Sequence, residues 1–196
     1  MSDPVIGGLI LAAGGSRRFG SPKQLADLGG EPLLQHAIDA MLGVPAIDAI
    51  RVVLGAHAGE IARAVELGDA EPVVCADWEE GMAASLRCGV RALEGCDWVV
   101  VTLGDQPLIT SQVIAAIVDR IEGARSGTAA IRALYDGEPG HPVALGRALL
   151  DRVLDLRGDV GARDLLDDAV VRTIEVGHLC DPADVDTPEE LEALRT

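Results

Sequence analysis

The sequence predicts an α/β protein with a mostly parallel sheet, helices on both faces of that sheet and a small antiparallel part. Three observations indicate this: short apolar runs alternate with helical patterns, the runs are unbroken, and aromatic residues make up 2% of the chain against 48% hydrophobic residues. Unbroken apolar strands are typical of parallel sheets that are buried on both faces. A core of Ala, Val, Leu and Ile suits helices layered on a sheet. We assign the 196 residues to one domain, residues 1–196.

The first half of the chain carries the regular alternation of strand and helix. The predicted strands are Val5–Ala12, Ala49–Leu54, Pro72–Ala76 and Trp98–Leu103, and the helices that follow them are Glu31–Leu42, Gly59–Glu66, Glu80–Leu93 and Ser111–Ile121. In the first of these helices Leu34, Ile38 and Met41 fall on one face, as helical periodicity requires. In open sheets of this kind, ligands bind outside the carboxyl ends of the strands. We therefore expect the functional residues directly after strands.

The rhythm changes in the second half of the chain. Strands at Thr128–Tyr135 and Pro142–Ala144 are predicted to form an antiparallel edge of the sheet. The remaining predicted elements are short helices at Arg147–Leu154 and Ala162–Asp168, a strand at Val170–Val176 and a final helix from Pro188. No repeat, low-complexity tract or linker interrupts the chain, which is consistent with one domain.

Composition excludes polyanionic partners that depend on the overall charge of the protein. The formal net charge is -16, so the surface repels nucleic acid and anionic membrane. No apolar run approaches the length of a membrane span, and the start Met-Ser-Asp-Pro does not resemble a signal peptide. We expect a cytoplasmic protein with no nucleic-acid or membrane partner. Its four cysteines show no metal or disulfide spacing, which predicts buried free thiols.

A glycine-rich segment follows the first predicted strand and ends at Lys23, the one lysine among 16 basic residues. A compact point charge behind a glycine loop is typical of phosphate binding. Small residues let backbone amides approach an anionic ligand closely. Residues 17–23 hold three basic side chains and no acidic one, a local exception in an acidic sequence. The spacing matches neither the common mononucleotide nor the dinucleotide loop, and an ordinary turn remains the alternative.

Two aspartates are candidates for a metal site. Asp105 follows the apolar run Trp98–Leu103, which places a carboxylate at the carboxyl end of a central strand. Asp186 precedes Thr187-Pro188, a pattern typical of a helix start. Magnesium prefers hard oxygen ligands, commonly one or two carboxylates with water and substrate phosphate. A turn aspartate and a solvated or capping aspartate are the structural alternatives.

The segment LAAGGSRRFGSPK, residues 11–23, resembles the signature LAAGxSxRxGxxK of nucleotidyltransferases with a three-layer, Rossmann-like, glycosyltransferase-A type fold. Within that superfamily the chain is most similar to the molybdenum cofactor cytidylyltransferases. Later segments resemble the blocks of that family in the same order, so that the resemblance covers nearly the whole chain: Asp77–Met82 with Ser85, Gly104–Leu108, Gly140–Val143, Arg157–Arg163 and Asp184–Pro188. One position departs, because the family often has Asn where Cys75 stands, which weakens any polar substrate contact there.

The resemblance implies a role for each block of residues. Arg18, Lys23 and Asp105 would be catalytic, with Asp105 and Asp186 holding Mg²⁺. The implied nucleotide-binding residues are Leu11, Ala12, Ala13, Gly14, Gly15, Ser16, Arg18, Lys23, Gly81, Ser85 and Asp105. The implied acceptor-binding residues are Gln106, Pro107, His141, Asp159 and Arg163, although a buried histidine and a surface ion-pair loop are structural alternatives for the last three.

The implied reaction is transfer of CMP from CTP to molybdopterin, metal-free or already carrying molybdenum, with release of pyrophosphate. An ionised phosphate acceptor needs no general base, which explains the lack of an evident Ser-His-Asp or Cys-His constellation. Guanylyl transfer from GTP to the same acceptor and nucleotidyl transfer to another small phosphate remain open. A different class, a cofactor-binding chaperone that delivers molybdopterin to a client molybdoenzyme, also remains open.

Overall fold

A seven-stranded sheet forms the middle layer of the molecule, and helices cover both of its faces, as the sequence predicts. The computed structural model describes residues 3–124 and 127–195. The strands are β1 (Ile6–Ala12), β2 (Asp27–Leu28), β3 (Glu31–Pro32), β4 (Ala49–Leu54), β5 (Ala70–Val74), β6 (Trp98–Leu103), β7 (Ala130–Tyr135), β8 (Glu138–Gly146) and β9 (Val171–Glu175). The α-helices are α1 (Leu33–Leu42), α2 (Ala58–Ala64), α3 (Met82–Ala92), α4 (Ser111–Glu122), α5 (Arg147–Val153) and α6 (Pro188–Leu194).

The strand order in the sheet is β5-β4-β1-β6-β8-β7-β9. All neighbouring pairs are parallel except those of β8, which is antiparallel to both β6 and β7. The predicted position of the antiparallel pair, at an edge of the sheet, is therefore wrong, since β5 and β9 form the edges. Asp136 and Gly137 have φ values of 52° and 85°, which suits a two-residue hairpin turn between β7 and β8. This hairpin inserts β8 beside β6.

Two large apolar cores separate the sheet from its helices. On one face α1, α2 and α4 bury residues such as Ile38, Ile61 and Ile114. On the other face α3 and α5 bury residues such as Leu86 and Leu149. Helix α3 can come close to β1 because Gly89 has no side chain; a Cβ atom at this position would overlap Leu9. Strand β1 is therefore packed on both faces, through Leu9 on one face and Ile10 on the other.

A third, smaller cluster brings the end of the chain to the start of α1. It consists of the buried residues Leu28, Leu33, Val185 and Leu191, and we call it the C-terminal cluster. Leu28 belongs to a small hairpin of β2 and β3 that the sequence does not predict. Helix α1 was predicted from Glu31, but Glu31 and Pro32 lie in β3 and the helix begins at Leu33. Pro32, with an extended ψ of 140°, precedes the first helical residue.

Two other predicted helices are shorter than expected. Helix α3 begins at Met82 rather than Glu80, because Gly81 has a φ of 110° that no helix contains. The predicted helix Ala162–Asp168 is a single 3₁₀ turn, Ala162–Leu165. Within the described ranges no helix is long and apolar enough to cross a membrane.

Two of the four cysteines are joined in a disulfide, contrary to the prediction of free thiols. Cys75 follows β5 and is fully buried, and it pairs with Cys88 on α3. These residues meet because α3 packs beside β4 and β5, a contact that their spacing of 13 residues does not reveal. Cys96 and Cys180 are free; Cys96 is buried, as predicted, whereas Cys180 is half-buried.

Candidate active site

A buried glutamine holds the glycine-rich loop that follows β1. The side-chain Nε2 of Gln24 donates hydrogen bonds to the carbonyl oxygens of Ala12 and Gly14, at 2.9 and 3.0 Å. Its Oε1 accepts a hydrogen bond from Oγ of Ser16 at 3.2 Å. Because Gln24 is only 3% exposed, water competes little for these bonds. The loop therefore has a defined shape before any ligand binds.

Ser16 connects the two ends of the loop. Its backbone is in the left-handed region, with a φ of 51°, and its carbonyl oxygen accepts hydrogen bonds from the amides of Phe19 and Gly20. Its Oγ accepts a hydrogen bond from the backbone amide of Lys23 at 3.1 Å. Lys23 is thus anchored next to the start of the loop, and its side chain reaches Asp105, two residues after the end of β6.

Asp105 and Asp186 are distant in sequence, and Val185 of the C-terminal cluster brings them close together. The backbone amide of Val185 donates a hydrogen bond to the carbonyl oxygen of Asp105 at 2.9 Å. On the other side, Oε2 of Glu190 accepts hydrogen bonds from the amides of Asp186 and Thr187, at 2.7 and 2.9 Å. The start of α6 therefore holds Asp186 next to Asp105.

Four charged side chains form one ion cluster, which consists of Arg18, Lys23, Asp105 and Asp186. Nζ of Lys23 lies 2.7 Å from Oδ2 of Asp105 and 2.8 Å from Oδ1 of Asp186. Nη2 of Arg18 lies 2.6 Å from Oδ2 of Asp186. The Lys23 side chain is 12% exposed and that of Arg18 is 71% exposed. The structure thus brings together all four residues for which a catalytic or metal role is predicted.

Two members of this cluster, Lys23 and Asp186, have pKa values shifted in the directions that favour their charged forms. Burial alone would lower the pKa of Lys23, but the charge of Asp105 and the hydrogen bonds to both aspartates outweigh burial and raise the pKa. The hydrogen bond from Lys23 lowers the pKa of Asp186 against the opposing effect of burial, and the charges of Lys23 and Arg18 add to the decrease.

The two aspartates fit a divalent cation. Oδ1 of Asp105 is buried and has no hydrogen-bond partner among the described residues, and a buried carboxylate oxygen without a partner is costly. The carboxylates supply hard oxygen atoms, and Mg²⁺ commonly takes one or two of these with substrate phosphates and water. In the described parts of the chain no group of three or more His, Cys, Asp or Glu residues forms a metal site. Binding of Mg²⁺ through Asp105 and Asp186 would therefore need oxygens from substrate or water.

A cavity of about 510 Å³ opens beside the ion cluster, a volume in the range of small-molecule sites. It is bounded by the glycine-rich loop, the start of α3, the end of β6 and Asp159, which lies in the loop before the 3₁₀ turn Ala162–Leu165. Its lining residues are Leu11, Ala13, Gly14, Arg17, Trp78, Glu79, Glu80, Gly81, Met82, Ser85, Leu103, Asp105 and Asp159. Seven of them carry predicted nucleotide or acceptor contacts: Leu11, Ala13, Gly14, Gly81, Ser85, Asp105 and Asp159.

Trp78 forms one wall of this cavity by packing on two glycines. A Cβ atom at Gly15 would lie 3.0 Å from Cη2 of Trp78, and one at Gly55 would lie 2.5 Å from its Cγ. The indole therefore rests against the backbone of the glycine-rich loop and of the segment after β4. Trp78 therefore packs against the core and also forms part of the cavity wall.

Arg87 is a second supporting residue that sequence reasoning missed. This α3 side chain is buried, and its Nη1 donates a hydrogen bond to the carbonyl oxygen of Leu156 at 2.6 Å. Its Nη2 lies 3.1 Å from Oε2 of Glu80. Arg87 therefore ties the cavity wall before α3 to the loop that leads to Asp159.

Of the five predicted acceptor residues, Asp159 lines the cavity, whereas Gln106, Pro107, His141 and Arg163 do not. Gln106 and Pro107 are buried, and Nε2 of Gln106 donates a hydrogen bond to the carbonyl oxygen of Pro182 at 3.0 Å. Gln106 thus holds the segment that leads to Asp186. The burial of Gln106 and Pro107 leaves little of either side chain accessible to an acceptor.

An arginine in β7, Arg132, lies on the face of the sheet that carries the cavity. Register pairs Val101 with Val143 and Val143 with Arg132. Leu103, which lines the cavity, lies two positions from Val101, so Leu103, Val101, Val143 and Arg132 share one face of the sheet. Arg132, which the sequence does not predict, therefore lies on the same face of the sheet as Leu103. The predicted residue His141 is close enough for the charge of Arg132 to affect its pKa.

This part of the face is positively charged. Within residues 3–124 and 127–195, neither Arg132 nor Arg163 forms an ion pair with an acidic residue. Burial and the charge of Arg163 lower the pKa of Arg132. Burial and the charge of Arg132 lower the pKa of His141 to about 4. His141 is therefore neutral at neutral pH, and the two arginines are available to an anionic group.

Gly14 provides a test of ligand approach that leaves the free protein unchanged. A Cβ atom added at Gly14 would meet no atom within 4 Å, and Gly14 lines the cavity. We expect Gly14→Ala to change the free energy of unfolding by less than about 0.5 kcal/mol. Because its methyl group would occupy the space in which the sequence predicts the phosphates, nucleotide affinity should fall by about tenfold, measured by calorimetric titration. Gly59→Ala, also without a close contact, is the control, and unchanged affinity of Gly14→Ala would place the phosphates elsewhere.

Comparison with known proteins places the chain among nucleotidyltransferase relatives. The model of the MobA-like NTP transferase domain matches residues 8–174. The chain is 30% identical over 195 residues to nicotine blue oxidoreductase of Paenarthrobacter nicotinovorans, with 96% of this chain and 95% of that protein covered. It is 31% identical over 215 residues to the purine catabolism protein PucB of Bacillus subtilis, with 100% and 98% covered.

The architecture is also shared with solved structures. The crystal structure of Rv0371c from Mycobacterium tuberculosis H37Rv has a TM-score of 0.87 and 31% identity, with 99% of this chain and 98% of that chain covered. The complex of Rv0371c with manganese has a TM-score of 0.82 and 28% identity, with 97% of each chain covered.

Proposed function

Because the chain belongs to the MobA-like NTP transferase family, we propose that it transfers CMP from CTP to molybdopterin or molybdenum cofactor and releases pyrophosphate. The observation that carries this proposal is the ion cluster beside the glycine-rich loop, in which Lys23 contacts both Asp105 and Asp186 within 2.8 Å. The lysine and the arginine would bind the negative charge of a nucleoside triphosphate, and the two carboxylates would hold a divalent cation that accompanies it.

The proposed reaction is an in-line displacement at phosphorus. An oxygen of the acceptor phosphate forms a bond to the α-phosphorus of CTP, and the bond from that phosphorus to the bridging oxygen breaks. Pyrophosphate leaves with the electron pair of the broken bond. A phosphate monoester is ionised near neutral pH because its second pKa is about 6, so no side chain has to remove a proton. The neutral state of His141 is compatible with this chemistry.

Positioning and charge neutralisation account for catalysis in this proposal. Amides of the glycine-rich loop would bind phosphate oxygens, and Arg18 and Lys23 would stabilise the triphosphate and the leaving pyrophosphate. Asp105 and Asp186 would hold Mg²⁺, which when bound supplies positive charge to phosphate oxygens. The roles of Leu11, Ala13, Gly81 and Ser85 in binding the nucleotide remain proposals of the same kind.

The acceptor would occupy the part of the site towards β7 and β8. Arg132 and Arg163 lack acidic partners in the described residues and would bind an anionic group of the acceptor, with His141 and Asp159 beside them. The choice of molybdopterin, the transfer to a client molybdoenzyme and the cytoplasmic location belong to this proposal. In a reducing compartment the Cys75–Cys88 bond would be open.

A comparison of four nucleotides tests the proposal. Purified protein with Mg²⁺ and molybdopterin should release pyrophosphate fastest with CTP and much more slowly with GTP, ATP or UTP. Omitting either the acceptor or Mg²⁺ should abolish release. Fastest release with GTP would replace the cytidylyl assignment by the guanylyl one. No release with any nucleotide, while molybdopterin still binds, would contradict the enzyme assignment and favour a cofactor chaperone.

A further inference from the structure

We propose that Lys23 is an exchangeable counter-ion, which occupies Asp105 and Asp186 in the nucleotide-free protein and moves to the triphosphate when the carboxylates receive a divalent cation. The free protein should therefore bind divalent metal weakly, and nucleotide should strengthen metal binding. This inference rests on the proposed function for the nucleotide, but its first part concerns metal binding by the protein alone.

The contacts of Lys23 carry the argument. One ammonium group lies within hydrogen-bond distance of a carboxylate oxygen from each aspartate, at 2.7 and 2.8 Å. A divalent cation on the same two oxygens would lie close to this ammonium, and the repulsion between the two positive centres would displace the ammonium. The remaining buried oxygen, Oδ1 of Asp105, offers a single ligand, which alone binds Mg²⁺ poorly.

Charge balance leads to the same result. Arg18 and Lys23 offset Asp105 and Asp186, so the ion cluster is formally neutral and attracts a free divalent cation weakly. Without the Lys23 ammonium the same cluster would carry one net negative charge and two carboxylates facing each other. Lys23 thus keeps two adjacent carboxylates stable in the absence of metal.

The position of Lys23 also makes exchange feasible. Its backbone is anchored by Ser16 within the glycine-rich loop, while a flexible four-carbon stem carries the charge. The loop lines the cavity proposed for the nucleotide, so phosphate oxygens bound there would compete with the aspartates for the ammonium. The exchange couples the two ligands, and such coupling must be reciprocal: nucleotide strengthens metal binding as much as metal strengthens nucleotide binding.

Titration with Mn²⁺, followed by electron paramagnetic resonance of the free ion, measures this coupling without turnover. Lys23→Met should bind Mn²⁺ about tenfold or more tightly than the natural protein in the absence of nucleotide, a ratio within the usual range of coupling. Arg18→Met removes a contact with Asp186 only and should give a smaller increase. Arg63→Met, which removes an exposed charge from α2, is the control for net charge and should leave the affinity unchanged.

A second arm adds CTP at a saturating concentration. CTP should increase Mn²⁺ affinity in the natural protein by a larger factor than in Lys23→Met, because the ammonium no longer has to leave in the variant. Lys23→Gln, which keeps N–H donors for the carboxylates without the charge, replaces Lys23→Met if thermal unfolding shows that the latter is not folded.

Equal or weaker Mn²⁺ affinity of a folded Lys23 variant, compared with the natural protein, would overturn the inference. Failure of the proposed function would look different. If the chain is not a nucleotidyltransferase, the nucleotide arm would show no coupling and no pyrophosphate would form, while the metal affinities without nucleotide would still rank Lys23→Met above the natural protein.

Discussion

Asp105→Asn is expected to lower turnover about 100- to 1,000-fold, the scale on which single groups that stabilise transition-state charge act. Asparagine has the shape of aspartate but lacks its charge, so it weakens both the bond to Lys23 and the proposed metal site. The side chains of Lys23 and Asp105 are 12% and 25% exposed, but Lys23 keeps its bond to Asp186 in the variant, so we expect a loss of about 1–2 kcal/mol of stability. Pyrophosphate release under saturating substrate and thermal unfolding measure the two effects separately.

Asp184→Asn is the matched control for this prediction. Asp184 is close to the same charges, since burial and the charges of Asp105 and Asp186 raise its pKa, but it makes no bond to Lys23. The same chemical change two residues from Asp186 should therefore cost only a small fraction of the loss. Equal losses in Asp184→Asn and Asp105→Asn would mean that the overall charge of the region, rather than Asp105 itself, supports turnover.

The central strands are the part of the fold that the sequence predicts best. Strands β4 and β6 have the predicted bounds, because each is mostly apolar, with one polar residue apiece (Arg51 and Thr102), and most of its residues are buried. The β2–β3 hairpin was missed because strands of two residues carry no periodic signal. The internal place of β8 depends on which strand it pairs with, and this choice is made by tertiary packing rather than by local pattern.

The site was predictable to the extent that it follows strand ends. Lys23 lies in the segment after β1, and Asp105 lies in the segment after β6. Because these strands are parallel neighbours, both segments begin at the same end of the sheet, at the carboxyl ends of the strands. Asp186 follows no strand of the sheet. Its position depends on the burial of Val185 in the C-terminal cluster, a long-range contact that only the family resemblance could suggest.

The missed residues share a physical cause. Gln24 and Arg87 act by donating hydrogen bonds to backbone carbonyls of distant segments, and the positions of these carbonyls are unknown until the fold is known. Arg132 left a clearer signal, since it is a charged residue within a strand whose neighbours Ile131 and Ala133 are fully buried. Alternation along that strand would have placed Arg132 on the face opposite these two.

Gly81 controls how the cavity wall meets the loop that carries Asp159. Its φ of 110° and ψ of -174° lie in a region that essentially only glycine adopts. A Cβ atom there would lie 2.7 Å from the carbonyl oxygen of Gly158 and 2.9 Å from the amide nitrogen of Asp159. The amide of Ala83 donates a hydrogen bond to that same carbonyl oxygen at 3.2 Å. Any side chain at position 81 must therefore displace this loop from the first turn of α3.

Gly81→Ala should accordingly impair both stability and activity. Backbone strain of about 1–3 kcal/mol would lower Tm by roughly 2–12 °C. Displacement of the wall by about 1 Å should lower kcat/KM by about 100-fold, because reacting groups lose their alignment. Gly59→Ala, where a Cβ meets no atom within 4 Å, should keep or slightly raise Tm and leave kcat/KM unchanged. Calorimetry and steady-state pyrophosphate release provide both values, and natural activity in Gly81→Ala would show that the junction of Gly81 with Gly158 does not shape the site.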